Sequence, residues 1–443
     1  MNLIYLHTHD SGRWFQPYGY AVQTPHLMDL AQESLLFRNA YCCGPTCSPS
    51  RSGLLTGMAP HTNGMLGLAH RGFALYNPQT HLAAYLKSHG FETVLSGIQH
   101  EAEVGKEETL GYERVISPGM NMDQLYFDTV EYDLNNADCV VNYLHEKHDK
   151  PFFLSFGMFN THRAYPDHRR GNIDPNYVLP PWPVADTPEN REDMADYLYS
   201  VKTADECVGR VLDGLKKAGL ADDTIVLMTT DHGLALPMMK CTLYDTGIGV
   251  AMMLRYPENP AEGKVTDALV SQVDVFPTLC DLLQLPKPEW LQGVSLLPVI
   301  EKGETVREEI FSEITYHAAY DPQRCIRTGD WKLIVRFDDY RGVVAPNIDA
   351  CSAKDVIAEA GFYRRMQPRE ELYNLKTDPV ERQNLVNDPA CAAVYHDLLS
   401  RLTRWMEQTN DPLLKVRYRV PKPEGAEVNL RENIDPQDGI YEA

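Results

Sequence analysis

The sequence predicts an α/β protein: a large mixed sheet flanked by helices, followed by a smaller antiparallel domain. Three observations carry this. Short apolar runs alternate with amphipathic helical stretches up to about residue 305, and four of those runs end abruptly in His or Asp. Beyond that point the pattern changes to short strands close together in the chain. With 443 residues there is enough chain for two domains, expected at 1–305 and 306–443.

Residues 2 to 6 are apolar and break into His7-Thr8-His9-Asp10-Ser11-Gly12, as expected of a buried central strand delivering polar side chains at its carboxyl end. Thr24-Pro25 caps a helix with Leu27, Leu30, Ala31 and Leu35 at helical spacing. His81 to His89 is a second helix, carrying Leu82, Ala83, Tyr85 and Leu86 and stopped by Gly90. Phe91 to Leu95 is a strand ending in Ser96-Gly97-Ile98-Gln99-His100; Phe152 to Phe159 is another, ending in Asn160-Thr161-His162-Arg163. A long amphipathic helix covers about 191–218, with Ala195, Leu198, Val201, Ala204, Val208, Val211, Leu212 and Leu215 on one face. Thr224 to Met228 is a β-branched strand ending in Thr229-Thr230-Asp231-His232-Gly233. Val250 to Tyr256 adds a core strand, Asp274 to Leu279 opens a helix, and Gln292 to Pro298 closes the region.

In the second region, Glu309 to Ile314, Cys325 to Arg327, Trp331 to Arg336 and Glu371 to Leu375 are expected strands, followed by a helix from Pro389 to Thr409. The Pro-rich, charged tail from Asn410 is expected to wrap the surface or reach a neighbouring subunit of a homo-oligomer. Ligands of open α/β sheets collect beyond the carboxyl ends of the strands, so the four His- and Asp-bearing ends should meet in one crevice.

Composition narrows the function. A net charge of -21 argues against nucleic acid as a partner, because a phosphate backbone rewards Lys and Arg. It leaves room for an anionic substrate, since a local group of cations can oppose the global field. No apolar run approaches the roughly 20 residues of a membrane span. The opening Met-Asn-Leu-Ile-Tyr-Leu lacks the basic leader and cleavage site of a secretion signal, so with Met1 as the start the expected location is cytoplasmic. Ten cysteines without CxxC pairs read as mostly reduced packing residues, with Cys42 and Cys43 lining the loop before Cys47.

The stretch Cys47-Ser48-Pro49-Ser50-Arg51-Ser52-Gly53-Leu54-Leu55-Thr56-Gly57 carries the chemistry. Pro49 suits the first turn of a helix, which would leave the N–H groups around Ser50 and Arg51 pointing toward position 47 as an anion site. Arg51 adds a permanent charge one turn along. A buried Cys before an ordinary helix is the competing reading. This stretch resembles the type I sulfatase signature. In that family the Cys is oxidised to formylglycine, whose hydrated aldehyde presents two hydroxyls, one to attack sulfur and the other to expel sulfate after losing its proton. The N-terminal strand, the Asp231-His232-Gly233 strand end, Pro277-Thr278-Leu279, Ile326 to Ile334 and Glu371 to Leu375 extend the resemblance along the chain, and Ser34 to Ala40, Asn63-Gly64-Met65 and Phe152-Phe153-Leu154 with His162-Arg163 make it most similar to the heparan N-sulfatase (sulfamidase) branch.

The resemblance implies an alkaline-phosphatase-like sandwich with a smaller antiparallel domain. It also implies a divalent metal at His9, Asp10, Asp231, His232 and the converted Cys47. Calcium is the family default, but two imidazoles favour manganese, zinc or iron. If His9 points away, His7 or a water completes the shell. His100 matches the family proton acceptor beside formylglycine, His162 the donor to the leaving group, and Lys240 the cation against the sulfate, a surface lysine being its alternative. The family Lys two residues before His100 is here Ile98, with Lys106 as a candidate substitute. His70, Arg71, Arg163, His168 and Arg169 are candidates for an acidic sugar, each equally readable as surface.

The function expected is hydrolysis of a sulfate ester or N-sulfate on a small sulfated sugar, with a formylglycine-generating enzyme as the maturation partner. The alternative, motivated by His232 where most sulfatases have Asn, is a phosphonate monoester or phosphodiester hydrolase. A non-catalytic binding protein on the same scaffold is a third reading.

Overall fold

The computed structural model describes residues 1–117, 128–416, 419–435 and 441. Nine strands form the first sheet: β1 (Asn2–Thr8), β2 (Leu35–Tyr41), β3 (Glu92–Gly97), β4 (Arg114–Val115), β5 (Phe152–Gly157), β6 (Thr224–Thr230), β7 (Gly249–Val250), β8 (Met252–Arg255) and β9 (Val265–Ser271). Their order is β4-β3-β5-β1-β6-β8-β2-β7, with β9 paired to β2. The neighbours β3, β5, β1 and β6 run parallel, in registers such as Leu6 opposite Phe156 and Met228. The four polar strand endings therefore lie side by side at one edge of the sheet.

Each residue of β1, β5 and β6 is buried, because helices cover both faces. Leu3 and Tyr5 point into one core with Leu54, Leu55, Leu82, Leu86 and Phe276. Ile4 and Leu6 point into the other, with Leu27, Leu30, Ala137, Val140, Val201, Val208 and Leu215. The period-2 alternation of β1 thus divides two helix layers. The long helix runs Pro188–Lys217, with the Thr187 side chain accepting from Asn190 N.

Several expectations are corrected. Leu35 belongs to β2; the helix before it ends at Gln32. Val250 to Tyr256 is two strands, interrupted where Ala251 N donates to Gly12 O (2.8 Å). The helix Thr129–Leu144 was not foreseen, because buried Asp133 and Asn136 interrupt its apolar face. Strand β9 was also missed: Val265 to Ala268 alternate exposed and half-buried positions without an apolar period, and only Leu269 to Ser271 is buried.

The second sheet is antiparallel: β10 (Glu309–Tyr316), β11 (Tyr320–Thr328), β12 (Trp331–Arg336) and β13 (Glu370–Asn374) in that order. One face packs Ile326, Leu333 and Leu372 on Leu398, Leu402 and Met406 of the helix Ala392–Gln408. The other joins the first core through Ile310, Ile314, Tyr316 and Ile334. In the described tail, Val420, Ala426 and Val428 enter that same core, and Glu427 N donates to Arg71 O (2.9 Å). Among the described residues no helix is long and apolar enough to cross a membrane.

A buried ion cluster fastens the two sheets. Arg324 donates to Asp411 (2.6 and 3.1 Å), Ile314 O (2.9 Å) and Gln323 O (2.9 Å), and lies 3.5 Å from Glu313, which holds His61 near the helix Cys47–Thr56. Removing one partner leaves buried carboxylates unpaired. Arg324→Ala is expected to lower stability by about 3–5 kcal/mol in denaturant unfolding; a loss below about 1 kcal/mol would show that the cluster relaxes freely.

Candidate active site

The helix that carries Cys47 is Cys47–Thr56, buried along its whole length. It starts at Cys47 itself, two residues before Pro49, and this corrects the expected anion site. The Ser50 N–H is used on Thr46 O (2.9 Å), so the open N–H groups belong to the turn at Cys47 and Ser48. Thr46 supplies no side-chain cap. Ser50 Oγ instead donates to Asp231 O (2.5 Å), tying the helix to the end of β6.

Asp231 is the hub. Its Oδ1 accepts from Asp10 N (2.8 Å) and His232 N (2.9 Å). Its Oδ2 accepts from Arg51 Nη2 (3.0 Å) and lies 3.4 Å from His9 Nδ1. Asp10 sits at φ 41, left-handed backbone that Asp tolerates, and this turns its N–H toward Asp231. His232 Nδ1–H donates to Gly233 O (2.9 Å), so the lone pair of Nε2 faces Cys47 Sγ (3.5 Å), Asp10 Oδ1 (3.4 Å) and Asp231 Oδ2 (3.6 Å). Burial disfavours charge on Asp231, but His232, Arg51 and His9 overcome it and hold the carboxyl well below its usual range.

The residues present fit a cation. One donor atom each from His9, Asp10, Cys47 and Asp231 lies within 4.8 Å of the others. Both His9 nitrogens and Asp10 Oδ1 are buried without a hydrogen-bond partner, a costly arrangement unless a ligand completes it. Burial, then Arg51, keep His9 well below the usual imidazole range, in the neutral form that ligates. His9 therefore points into the site.

Around this centre stand three further imidazoles. His9 meets His100 edge-on at 5.2 Å and His162 at 5.4 Å; His70 stacks on His100 at 5.6 Å. His162 Nδ1–H donates to Arg163 O, leaving Nε2 as its exchanging nitrogen. Burial, then Arg51, hold His100 well below the usual range, so it is a neutral acceptor. Lys240 is buried, with Nζ 3.1 Å from Asp10 Oδ2 and 3.0 Å from Asp349 Oδ2. Burial opposes its charge, but those two carboxylates keep it protonated.

Other candidates are placed elsewhere. Lys106 is exposed and paired with Glu103, so it does not replace the missing Lys at Ile98; Arg51 and Lys240 are the cations that reach the centre. Arg163 is spent on Asp193 (2.6 Å twice) and on Ala235 O. His168 is held by Asp196 (2.7 Å) and Arg169 by Asp167. Arg71 donates to Asn429 Oδ1 (2.8 Å).

Two supporting groups were not identified from the sequence. His7 Nδ1 accepts from Arg51 Nη1, while its Nε2–H donates to Ser155 Oγ (3.2 Å), so a neutral imidazole orients the guanidinium. The sequence offered His7 only as an alternative ligand should His9 point away; two residues after Tyr5 it lies on the Tyr5 face, with both ring nitrogens used on Arg51 and Ser155. Asp349 comes from the second region, where no local pattern marks it.

Glu101, next to His100, gives a testable property. Burial pushes its carboxyl up to about 8, against the pull of Arg51. The folded chain then keeps a proton that the unfolded chain releases near 4.5, so stability falls as pH rises between those values. Glu101→Gln should therefore shrink the drop in unfolding temperature between pH 5 and pH 9; an unchanged drop would remove Glu101 as its source.

A family model described as sulfatase matches residues 2–285, and one described as N-sulphoglucosamine sulphohydrolase, C-terminal, matches 235–343. Human N-sulphoglucosamine sulphohydrolase is 30% identical, over 94% of this chain and 90% of that protein. An ulvan-active sulfatase of Formosa agariphila is 26% identical, over 93% of this chain and 75% of that protein. A solved structure described as a complex with its substrate D-glucosamine-2-N,6-O-disulfate has a TM-score of 0.73 at 20% identity, covering 94% of this chain and 99% of its own. The phosphonate monoester hydrolase of Agrobacterium radiobacter has 0.72 at 20%, covering 95% and 99%, so the fold is alkaline-phosphatase-like without separating those activities. With a sulfatase model over most of its length and a relative of that family matched nearly end to end, the chain belongs to the sulfatase family and is a sulfuric ester hydrolase.

Proposed function

We propose that the protein removes sulfate, from nitrogen or oxygen, from a small sulfated sugar, using formylglycine derived from Cys47 and one divalent metal. The observation that carries this is the meeting of Cys47, Asp10, Asp231 and His232 within 3.6 Å contacts although they lie as far as 222 residues apart. The human relative and the saccharide complex support the sugar.

His9, Asp10, Asp231 and His232 would hold the metal, which when bound polarises sulfate oxygens and the nucleophile. Two imidazoles beside two carboxylates suit manganese, zinc or iron better than calcium. Arg51 fixes a positive charge at the base of the site. Lys240 faces it from the second side, held by Asp10 and Asp349. His100, neutral and half-open, is the base that takes the hydroxyl proton when sulfate leaves. His162, pinned through Nδ1, delivers a proton from Nε2 to the departing oxygen or nitrogen.

The test is turnover by protein matured with a formylglycine-generating enzyme, on N-sulfoglucosamine, O-sulfated monosaccharides and an aryl phosphodiester, with metal content measured in parallel. Sulfate release restored by manganese, zinc or iron after chelation is the expected result. Preference for the phosphodiester would favour the alternative hydrolase, and restoration by calcium alone would contradict the metal assignment.

A further inference from the structure

The loop that carries His162 is gripped by a side chain outside the reaction centre. Asp133, in the middle of the helix Thr129–Leu144, is fully buried. Its Oδ1 accepts from Phe159 N (2.7 Å), and its Oδ2 from Asn160 N (2.8 Å) and Asn160 Nδ2 (2.6 Å). All three partners are donors, so both carboxylate oxygens are committed to the stretch that leads from β5 to His162. A buried carboxylate in mid-helix is costly unless it is hydrogen-bonded, and these bonds go to the loop and not to its own helix.

The loop is held at further points. Asn160 Oδ1 accepts from Ser200 Oγ (2.6 Å) on the long helix. Thr161 Oγ1 donates to His9 O (2.7 Å) and lies 2.8 Å from Ser11 Oγ, which ties the loop to the end of β1. His162 N donates to Phe159 O (2.9 Å), so the residue Asp133 grips is also the one on which the His162 backbone turns. Beyond it, Arg163 is fixed on Asp193 and Ala235 O.

We infer that Asp133 is a positioning residue for protonation of the leaving group, acting through the backbone of Phe159 and Asn160 to hold His162 Nε2 at the bridging atom of the substrate. This rests on the donor role proposed above for His162. As the bond from sulfur to the bridging oxygen or nitrogen breaks, that atom keeps the electron pair and takes the Nε2 proton, leaving a neutral imidazole. A displacement of about 1 Å can cost on the order of a hundredfold in such a step.

The experiment compares two substrates on one matured protein. One is the sulfated monosaccharide turned over fastest among those named above, whose leaving group must be protonated; the other is 4-nitrophenyl sulfate, whose phenolate leaves without a proton. Asp133→Asn keeps the shape but has one acceptor oxygen, and it turns an NH2 group toward donors. It should lower kcat/KM on the sugar by at least about tenfold and on 4-nitrophenyl sulfate by less than about threefold. The ratio of the two rates is independent of the folded fraction, so destabilisation alone would lower both equally. His162→Ala should show the same selectivity, and adding Asp133→Asn to it should cost little more. In unconverted protein, amide exchange of residues 159–163 should be faster in Asp133→Asn whatever the activity. Equal effects on the two substrates, additive losses in the double variant, or unchanged exchange would overturn the inference. A His162→Ala protein without that selectivity, or no sulfate release from any sugar, would instead overturn the proposed function.

Discussion

Cys47→Ala is expected to lower turnover by at least about ten-thousandfold, the scale on which loss of a nucleophile acts, while leaving the fold in place. Cys47 is 2% exposed, and His232 Nε2 lies 3.5 Å from its sulfur. Burial pushes the thiol well up, although Lys240 opposes this, so the unconverted side chain is a neutral thiol and a poor nucleophile. The same reasoning makes unconverted protein nearly inactive. Turnover should therefore scale with the converted fraction read by peptide mass analysis. Substantial rate from fully unconverted or Cys47→Ala protein would place the nucleophile elsewhere.

Arg51→Ala should have the second largest effect, and on two axes. The guanidinium is 1% exposed and bonds Asp231 Oδ2, Thr8 O (3.0 Å) and His7. Its removal leaves the buried Asp231 carboxylate without its guanidinium partner, at a cost of about 3–5 kcal/mol in unfolding free energy. Turnover should fall by about a hundredfold or more, as for loss of a positioned charge at a developing anion. Arg51→Lys restores charge but not the fork that meets His7 through Nη1 and Asp231 and the Thr8 carbonyl through Nη2, so it should recover more stability than turnover. Equal recovery of both would mean that Arg51 serves only to neutralise Asp231.

The parts of the site legible in the sequence are those that sit on strand ends. His9-Asp10, His100, His162 and Asp231-His232 each follow an apolar run, and a parallel sheet brings such endings together without further information. Cys47 and Arg51 were legible through the signature stretch that resembles the sulfatases, although the start of its helix at Cys47 was not. What escaped has a common cause. Asp349 arrives from the second domain, and its place at Lys240 depends on how the two sheets dock. Asp133 sits mid-helix, yet it accepts from Phe159 N (2.7 Å) and Asn160 N (2.8 Å) and so anchors the loop that bears His162. The same buried carboxylate hid that helix from a periodicity reading. Lys106 misled because sequence proximity to His100 says nothing of direction: the chain turns outward after Glu101.

All of the proposed chemistry requires that one cation be held where β1 and β6 end. Anomalous scattering from crystals of the matured, manganese-loaded protein tests this most directly. The account predicts one peak, bonded by His9, Asp10, Asp231 and His232 and adjacent to residue 47. A peak outside that cluster, or one bonded by neither His9 nor His232, would contradict it.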